Sequence, residues 1–201
     1  MTGTIVLCNG APRSGKSSIA RAVQERLPGT WINFGVDAAM AMQPAALQPG
    51  IGLRPGGERP DLEPVIQQLY GALFSSLAAY ARAGVNVVSD LGIHDSYSRP
   101  LGVLDDAVQR LAGLPVLLVG VTAPIDVIMA RRNADPRGGY YAGGDDVPAP
   151  VLLWQDAPHA HGVYDLMIDT GATTAEQAAD RIGTLIETWP AVTAFERLRA
   201  R

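Results

Sequence analysis

One stretch near the amino terminus has the residue types and spacing of a phosphate-binding loop. It reads Gly10-Ala11-Pro12-Arg13-Ser14-Gly15-Lys16-Ser17, with Ser18 directly after it, and fits the pattern G-x-x-x-x-G-K-[ST]. Glycines let the backbone curl around a phosphate chain with its N–H groups turned inward. Lys16 is the only lysine in the chain, and arginine cannot replace lysine as a compact charge for the β- and γ-phosphates. The stretch therefore predicts a nucleotide-phosphate site rather than a glycine turn beside a solvated lysine.

Three oxygen-bearing side chains could serve metal binding and proton transfer beside this loop. The hydroxyl of Ser17 is typical of a Mg²⁺ ligand. Asp90 ends an apolar strand, the usual position of the acidic residue that completes the magnesium shell, although a turn or cap role is the alternative. Asp37, just beyond the second predicted strand, could accept the proton of an acceptor hydroxyl. It could equally lie in the first turn of a helix, where the dipole favours it, and its position leaves both roles open.

Arginines are concentrated late in the chain, where they could neutralise charge on a transferred phosphoryl group. Arg131 and Arg132 stand at the end of a predicted helix, and Arg137 follows in a loop. Several arginines at one site can bind phosphate oxygens and offset charge as it spreads onto the transferred group. Residues 133–150 are polar and rich in glycine, so we predict a mobile lid loop there. Solvated arginines at a helix terminus are the alternative interpretation.

Apolar residues follow the candidate base and could line a pocket for an acceptor. Met40 and Leu53 are two of them, and His94 could also contact the acceptor. Such residues are more often plain core, and His94 could equally belong to a surface loop. His159 and His161 lack clustered carboxylates or cysteines, so an ordinary loop is favoured over a metal site.

Alternating strand and helix patterns predict how these residues are positioned. Apolar runs predict strands at 4–8, 30–34, 85–90, 116–121 and 165–169. Three-and-four spacing predicts helices at 18–27, 38–43, 99–112, 125–132 and 174–189, and a long one between Asp61, as its N-cap, and Gly84. Because parallel strands need a crossover, this alternation predicts an α/β fold with a mostly parallel sheet. Ligands in such sheets bind at the carboxyl ends of the strands.

Bulk composition narrows the class of protein. A length of 201 residues fits a single domain over 1–201, whose tail at 190–201 could pack as a helix or fray. A net charge of −4 argues against non-specific nucleic-acid binding. No apolar run approaches the length that spans a membrane, and the loop motif begins too early to leave room for a signal peptide. We expect a cytoplasmic protein without nucleic-acid or membrane partners.

Several ordered motifs together resemble the chloramphenicol phosphotransferase-like family. They are Leu7-Cys8-Asn9-Gly10, Trp31 with Phe34-Gly35-Val36-Asp37, Ala81-Arg82-Ala83-Gly84-Val85 before the strand ending at Asp90, the pair Arg132 and Arg137, and Val163-Tyr164-Asp165 before Ile168-Asp169-Thr170. The resemblance covers roughly residues 4–187. It implies a P-loop kinase-type three-layer fold with a mobile lid, and transfer of the ATP γ-phosphate to an alcohol.

The resemblance also implies roles for individual residues. Asp37 is similar to the family's proposed general base, Lys16 and Ser17 to its nucleotide and magnesium residues, and Arg132 and Arg137 to its phosphate-clamping residues. We therefore expect an enzyme that uses ATP and Mg²⁺ to phosphorylate a small hydroxylated molecule. Acceptor identity lies in variable loops, so chloramphenicol is one candidate among antibiotics and other natural products. A metabolic kinase for a nucleoside, sugar acid or shikimate-like substrate, and a regulatory ATP-binding module, are the alternatives.

Overall fold

A single sheet organises the part of the chain that the computed structural model describes, residues 1–134 and 146–201. Within these residues five strands lie in the order β2-β3-β1-β4-β5, and every neighbouring pair is parallel. The strands are β1 (Ile5–Asn9), β2 (Trp31–Asn33), β3 (Asn86–Leu91), β4 (Val116–Thr122) and β5 (Leu166–Asp169). The predicted α/β fold with a mostly parallel sheet is thereby confirmed.

Helices connect the strands and cover the sheet. They are α1 (Lys16–Arg26), α2 (Val36–Ala41), α3 (Glu63–Arg82), α4 (Val103–Arg110), α5 (Ile125–Ala134), α6 (Ala149–Asp156), α7 (Ala175–Thr188) and α8 (Ala194–Arg199). Short 3-10 turns lie at Ala45–Leu47, Gly50–Gly52 and Ala157–His159. No helix among the described residues is long and apolar enough to cross a lipid bilayer.

Two hydrophobic cores lie on opposite faces of the sheet. Along the central strand β1, Ile5 and Leu7 belong to a core that includes residues of α3, α4 and α8. Val6 and Cys8 belong to the second core, which includes residues of α1 and α7. This alternation follows from the two-residue period of a strand, since successive side chains point to opposite faces. The architecture is therefore three layers, helix on sheet on helix.

Two predicted helix starts are wrong. Asp61 does not cap α3, because the helix begins after Leu62 and the Asp61 carboxylate instead accepts hydrogen bonds from Arg59 at 2.9 and 2.7 Å. The helix predicted over 99–112 is shorter, because Gly102 has φ +64° and ends the irregular segment before α4. Asp95 Oδ1 accepts the backbone N–H of Gly102 at 2.9 Å and so satisfies a donor at this start.

Most of the predicted lid loop lies outside the residues that the structure describes. Residues 135–145, which include Arg137 and all four glycines of the predicted loop, lie outside the described residues. At both ends of the predicted loop the chain is helical, since α5 continues to Ala134 and α6 begins at Ala149. Helix α6 was not predicted, because the polar, glycine-rich composition of residues 133–150 indicated a loop. Pro150 is compatible with the start of this helix, because proline is tolerated in the first turn, where its missing N–H would have no partner.

The carboxyl-terminal tail forms a packed helix. Thr193 begins α8 with a capping box, in which its hydroxyl accepts the backbone N–H of Glu196 at 3.3 Å. The Glu196 carboxylate in turn accepts the backbone N–H of Thr193 at 2.6 Å. Phe195 is buried in the core that contains α3 and α4. Of the two alternatives for the tail, packing rather than fraying is observed.

Candidate active site

The predicted phosphate loop joins β1 to α1 at the carboxyl edge of the sheet, and its glycines are sterically required. Gly15 has φ +99°, and an added Cβ would lie 3.1 Å from Thr170 Cγ2. A Cβ on Gly10 would lie 2.0 Å from the carbonyl oxygen of Val121. Helix α1 begins at Lys16, so its amino-terminal N–H groups and its dipole face the end of the loop. Such a terminus favours a bound anion.

Lys16 shares its electrostatic environment with both candidate carboxylates. Its ammonium donates to the carbonyl oxygen of Ala11 at 2.7 Å, so the side chain lies along the loop. Burial lowers the pKa of Lys16, while the negative charges of Asp90 and Asp37 act in the opposite direction. The two carboxylates therefore stabilise the charged form of the lysine, which is the form that attracts phosphate.

Ser17 and Asp90 form the pair predicted to hold a metal. The Ser17 hydroxyl donates to Asp90 Oδ2 at 2.6 Å, and Asp90 is only 8% exposed. Gly35 makes room for this carboxylate, because a Cβ on Gly35 would lie 1.8 Å from Asp90 Oδ1. Hydroxyl and carboxylate oxygens suit Mg²⁺, which usually takes few protein ligands and completes its shell with phosphate and water. The described ranges contain no group of three or more His, Cys, Asp or Glu residues that could hold a metal.

Asp37 lies in the first turn of α2 and lines the same cavity as the phosphate loop. Both roles that the sequence left open are therefore compatible with its position. The helix dipole favours a carboxylate in this turn, and a residue on the cavity wall can face a molecule bound there.

A cavity of about 1250 Å³ extends across the carboxyl edge of the sheet. Near β4 and β5 its wall includes Arg131 and residues 170–176. Another part of the wall is apolar and aromatic, formed by Val36, Met40, Ile51, Tyr70, Val151 and Trp154. Single-ligand pockets usually measure about 300–1,000 Å³, so this cavity has room for a nucleotide and a small acceptor together.

The late arginines differ in what they bind. Arg131 donates from Nη1 to the carbonyl oxygen of Arg13 at 3.1 Å and to Thr170 Oγ1 at 2.9 Å. Its Nη2 donates to the carbonyl oxygen of Thr170 at 3.0 Å. Arg132 is 8% exposed and lines the cavity, and its phosphate-binding role stays a prediction. Arg137 lies outside the described residues.

Three residues were predicted to bind the acceptor, and of these three Met40 lines the cavity while Leu53 and His94 do not. Leu53 is 1% exposed and packs in the core, which corrects its predicted contact with an acceptor. His94 is 3% exposed, so it is not a surface residue, and it does not line the cavity. Its Nε2 lies 3.1 Å from the carbonyl oxygen of Leu53. Its ring contacts Trp154 edge-on, with the centroids 5.0 Å apart.

The His94 ring is held neutral and supports the cavity wall from behind. Burial lowers the pKa of His94 to about 4, so the ring is uncharged near neutral pH. The backbone N–H of Ser96 donates to Nδ1 at 3.2 Å, which leaves Nε2 to donate to Leu53. His159 also has a structural partner, since its Nδ1 lies 2.8 Å from the Tyr164 hydroxyl.

Sequence reasoning missed Trp154 and Thr170 as residues of this site. Trp154 stands in α6, for which no helix was predicted. Thr170 directly follows β5, and the rule that ligands bind beyond the carboxyl ends of parallel strands could have identified it.

Comparison with solved structures shows which fold the chain has. The chain resembles the APS kinase of Mycobacterium tuberculosis in complex with AMPPNP and APS, with a TM-score of 0.62, 18% identity, and coverage of 92% of this chain and 98% of that one. It also resembles the shikimate kinase of Acinetobacter baumannii in complex with shikimate, with a TM-score of 0.57, 15% identity, and coverage of 93% and 94%. The fold is therefore that of P-loop kinases, as expected.

Sequence comparison then identifies the family. The model described as chloramphenicol phosphotransferase-like protein matches residues 3–187, and the chain belongs to this family. A provisionally named O-phosphotransferase of Mycobacterium tuberculosis is 29% identical over 213 residues, covering 99% of this chain and 89% of that protein. The predicted family is confirmed, and the protein is a phosphotransferase enzyme.

Proposed function

We propose that this protein transfers the γ-phosphate of ATP to a hydroxyl group of a small molecule. The observation that carries the proposal is one shared cavity. It is lined by Lys16 and most of the phosphate loop, by the Ser17–Asp90 pair, and by Asp37. A phosphate site next to a carboxylate outside the metal pair suits transfer to an acceptor better than nucleotide binding alone.

The nucleotide half of the reaction uses the loop and its cationic neighbours. The backbone amides of the loop and Lys16 hold the phosphates, and Arg132 offsets charge on the transferred group. We extend the same role to Arg137 on the family resemblance. Ser17 and Asp90 would hold Mg²⁺, which when bound supplies positive charge that neutralises the phosphates. Positioning and electrostatics thus supply most of the catalysis.

Asp37 is the general base in this proposal. Its carboxylate accepts the proton of the acceptor hydroxyl as the oxygen attacks the γ-phosphorus, and ADP leaves. The charge of this carboxylate acts to raise the pKa of Lys16, so the proposed base and the phosphate-binding lysine attract each other across the cavity. A nucleotide-binding switch would have no need for this base.

The cavity wall favours a neutral acceptor with an apolar body. A sugar acid or shikimate-like acceptor requires a cation for its carboxylate, and the segment after α2 offers Arg54 and Arg59. Arg59 is exposed and bound to Asp61, and Arg54 lines the cavity in an ion pair with Glu58 at 2.8 Å. The cationic charge at this end is therefore already partly neutralised. This supports an antibiotic or related natural product, with chloramphenicol as one candidate.

Acceptor-dependent ADP release tests the proposal. We would measure it at saturating Mg-ATP with chloramphenicol, other hydroxylated antibiotics, nucleosides and sugar acids, for wild type and Asp37→Asn. Asp61→Asn is the matched control, because it makes the same change in an exposed ion pair away from the cavity. We expect turnover with a neutral acceptor that Asp37→Asn loses and Asp61→Asn retains. The proposal would be contradicted if no acceptor raised the rate of ADP release above the rate measured without acceptor.

A further inference from the structure

Two adjacent carbonyl groups of the phosphate loop are bound by side chains from distant parts of the chain. Thr170 Oγ1 donates to the carbonyl oxygen of Ser14 at 2.7 Å. Arg131 Nη1 donates to the carbonyl oxygen of Arg13 at 3.1 Å. The two side chains also bind each other, since Arg131 Nη1 donates to Thr170 Oγ1 at 2.9 Å. A second bond runs from Arg131 Nη2 to the carbonyl oxygen of Thr170 at 3.0 Å. Arg131, from the helix after β4, and Thr170, directly after β5, thus stabilise the loop that follows β1.

These bonds fix the direction of the loop's amides. A trans peptide is planar, so a carbonyl that points one way turns the next residue's N–H the opposite way. The bond from Thr170 to the Ser14 carbonyl therefore turns the N–H of Gly15 away from Thr170. The bond from Arg131 to the Arg13 carbonyl holds the same peptide whose N–H, that of Ser14, donates to the carbonyl oxygen of Ala11 at 3.2 Å, and so it supports the turn that precedes Gly15. Phosphate affinity of such a loop depends on inward-turned amides.

The loop needs this support because its backbone is unusual at two positions. Arg13 has φ +63°, a region that few residues other than glycine adopt. Gly15 has φ +99° and packs closely on the Thr170 methyl group. Residues in sparsely populated conformations persist only where surrounding contacts determine them. Thr170 and Arg131 supply such contacts at both positions.

We propose that Thr170 and Arg131 are positioning residues that hold the phosphate loop in its binding shape. This inference rests on the proposed nucleotide binding. It replaces the expectation that Arg131 closes over the phosphates, because both of its terminal nitrogens are bound to protein oxygens. Since the loop amides and Lys16 reach the β-phosphate, which ATP and ADP share, loss of the support weakens both nucleotides alike. Direct contact with the γ-phosphate would instead weaken ATP alone.

Calorimetric dissociation constants for Mg-ATP and Mg-ADP test the inference. Thr170→Val keeps the shape of the side chain and removes the hydroxyl, and we expect both nucleotides to bind about tenfold more weakly. Thr170→Ser keeps the hydroxyl, and we expect wild-type affinity within about twofold. Arg131→Gln should match Thr170→Val, and it tests the inference independently if the valine variant does not fold. The double variant should be little worse than either single one, because the two side chains share Oγ1.

The outcomes separate this inference from the proposed function. Arg26→Ala is the control and should keep wild-type affinity, because it removes an arginine of α1 whose partner is Asp180 of α7 in an exposed ion pair. If Thr170→Val and Arg131→Gln bind ADP as tightly as the wild type does, the inference is overturned and the proposed function is left intact. A loss confined to ATP would also overturn it, in favour of direct contact. Wild-type protein that bound neither nucleotide would overturn both.

Discussion

Replacing Gly35 with alanine perturbs the proposed magnesium pair without touching the phosphate loop. Gly35 has an extended backbone that any residue can adopt, so the effect of the substitution is steric. Its Cβ would lie 1.8 Å from Asp90 Oδ1 and 2.4 Å from the carbonyl oxygen of Asp90. Since Cβ atoms essentially never approach heavy atoms closer than 3.0 Å, either residue 35 or Asp90 must move by about 1 Å.

The size of this movement sets the expected losses. Overpacking a buried site costs about 1–3 kcal/mol, and a chain of this length loses roughly 2–4 °C of Tm per kcal/mol, so Tm should fall by about 2–12 °C. Displacement of Asp90 disturbs the 2.6 Å bond to Ser17. A misplacement of about 1 Å at a catalytic site can cost roughly 100-fold in rate, and we expect a loss of that order.

Thermal unfolding and acceptor-dependent ADP release measure the two effects separately. Gly102→Ala is the control, because an added Cβ there meets no atom within 4 Å and Gly102 does not line the cavity. Its φ of +64° should lower Tm while activity stays at the wild-type level. Gly35→Ala with wild-type Tm and activity would refute the steric reasoning. A lowered Tm with full activity would refute the role of Asp90.

Three further predictions concern stability and pH. Thr193→Ala removes the hydroxyl that caps α8 and should cost about 1 kcal/mol, seen as a small fall in Tm. Burial lowers the pKa of His94 from 6.5 to about 4, so its contribution to stability is present above pH 6.5 and lost as pH falls towards 4. His94→Gln should therefore show a flatter dependence of unfolding free energy on pH over this range in urea titrations. Burial also lowers the pKa of Lys16 while Asp90 opposes the shift, so Asp90→Asn should move the alkaline loss of magnesium-free ATP binding to lower pH in calorimetry.

The sheet, the loop between β1 and α1 and the proximity of Ser17 to Asp90 could be predicted from signals in short segments of the sequence. The alternation along β1 and the glycine spacing of the loop are properties of short segments. Asp90 at the end of β3 then follows from the rule that sites form at the carboxyl ends of parallel strands. That rule brings Ser17 and Asp90 to one edge, and the structure joins them at 2.6 Å.

The rest depends on packing between distant segments, which residue types do not encode. Leu53 and His94 stand in loop segments of the sequence, yet Leu53 is buried in the core that contains residues of α3 and α4, and His94 is buried against Trp154 of α6. The sequence indicates that Arg131 is cationic but not that its partners are the backbone of Arg13 and the Thr170 side chain.

Transfer of labelled γ-phosphate from ATP tests the central claim most directly. Wild-type protein and Asp37→Asn are incubated with the acceptor that best stimulates ADP release, and the label is followed into organic and inorganic phosphate. We predict that wild type places the label on the acceptor, and that Asp37→Asn binds ATP normally but transfers it about 100- to 10,000-fold more slowly. Label that appears only as inorganic phosphate, or equal transfer by both proteins, would contradict the account.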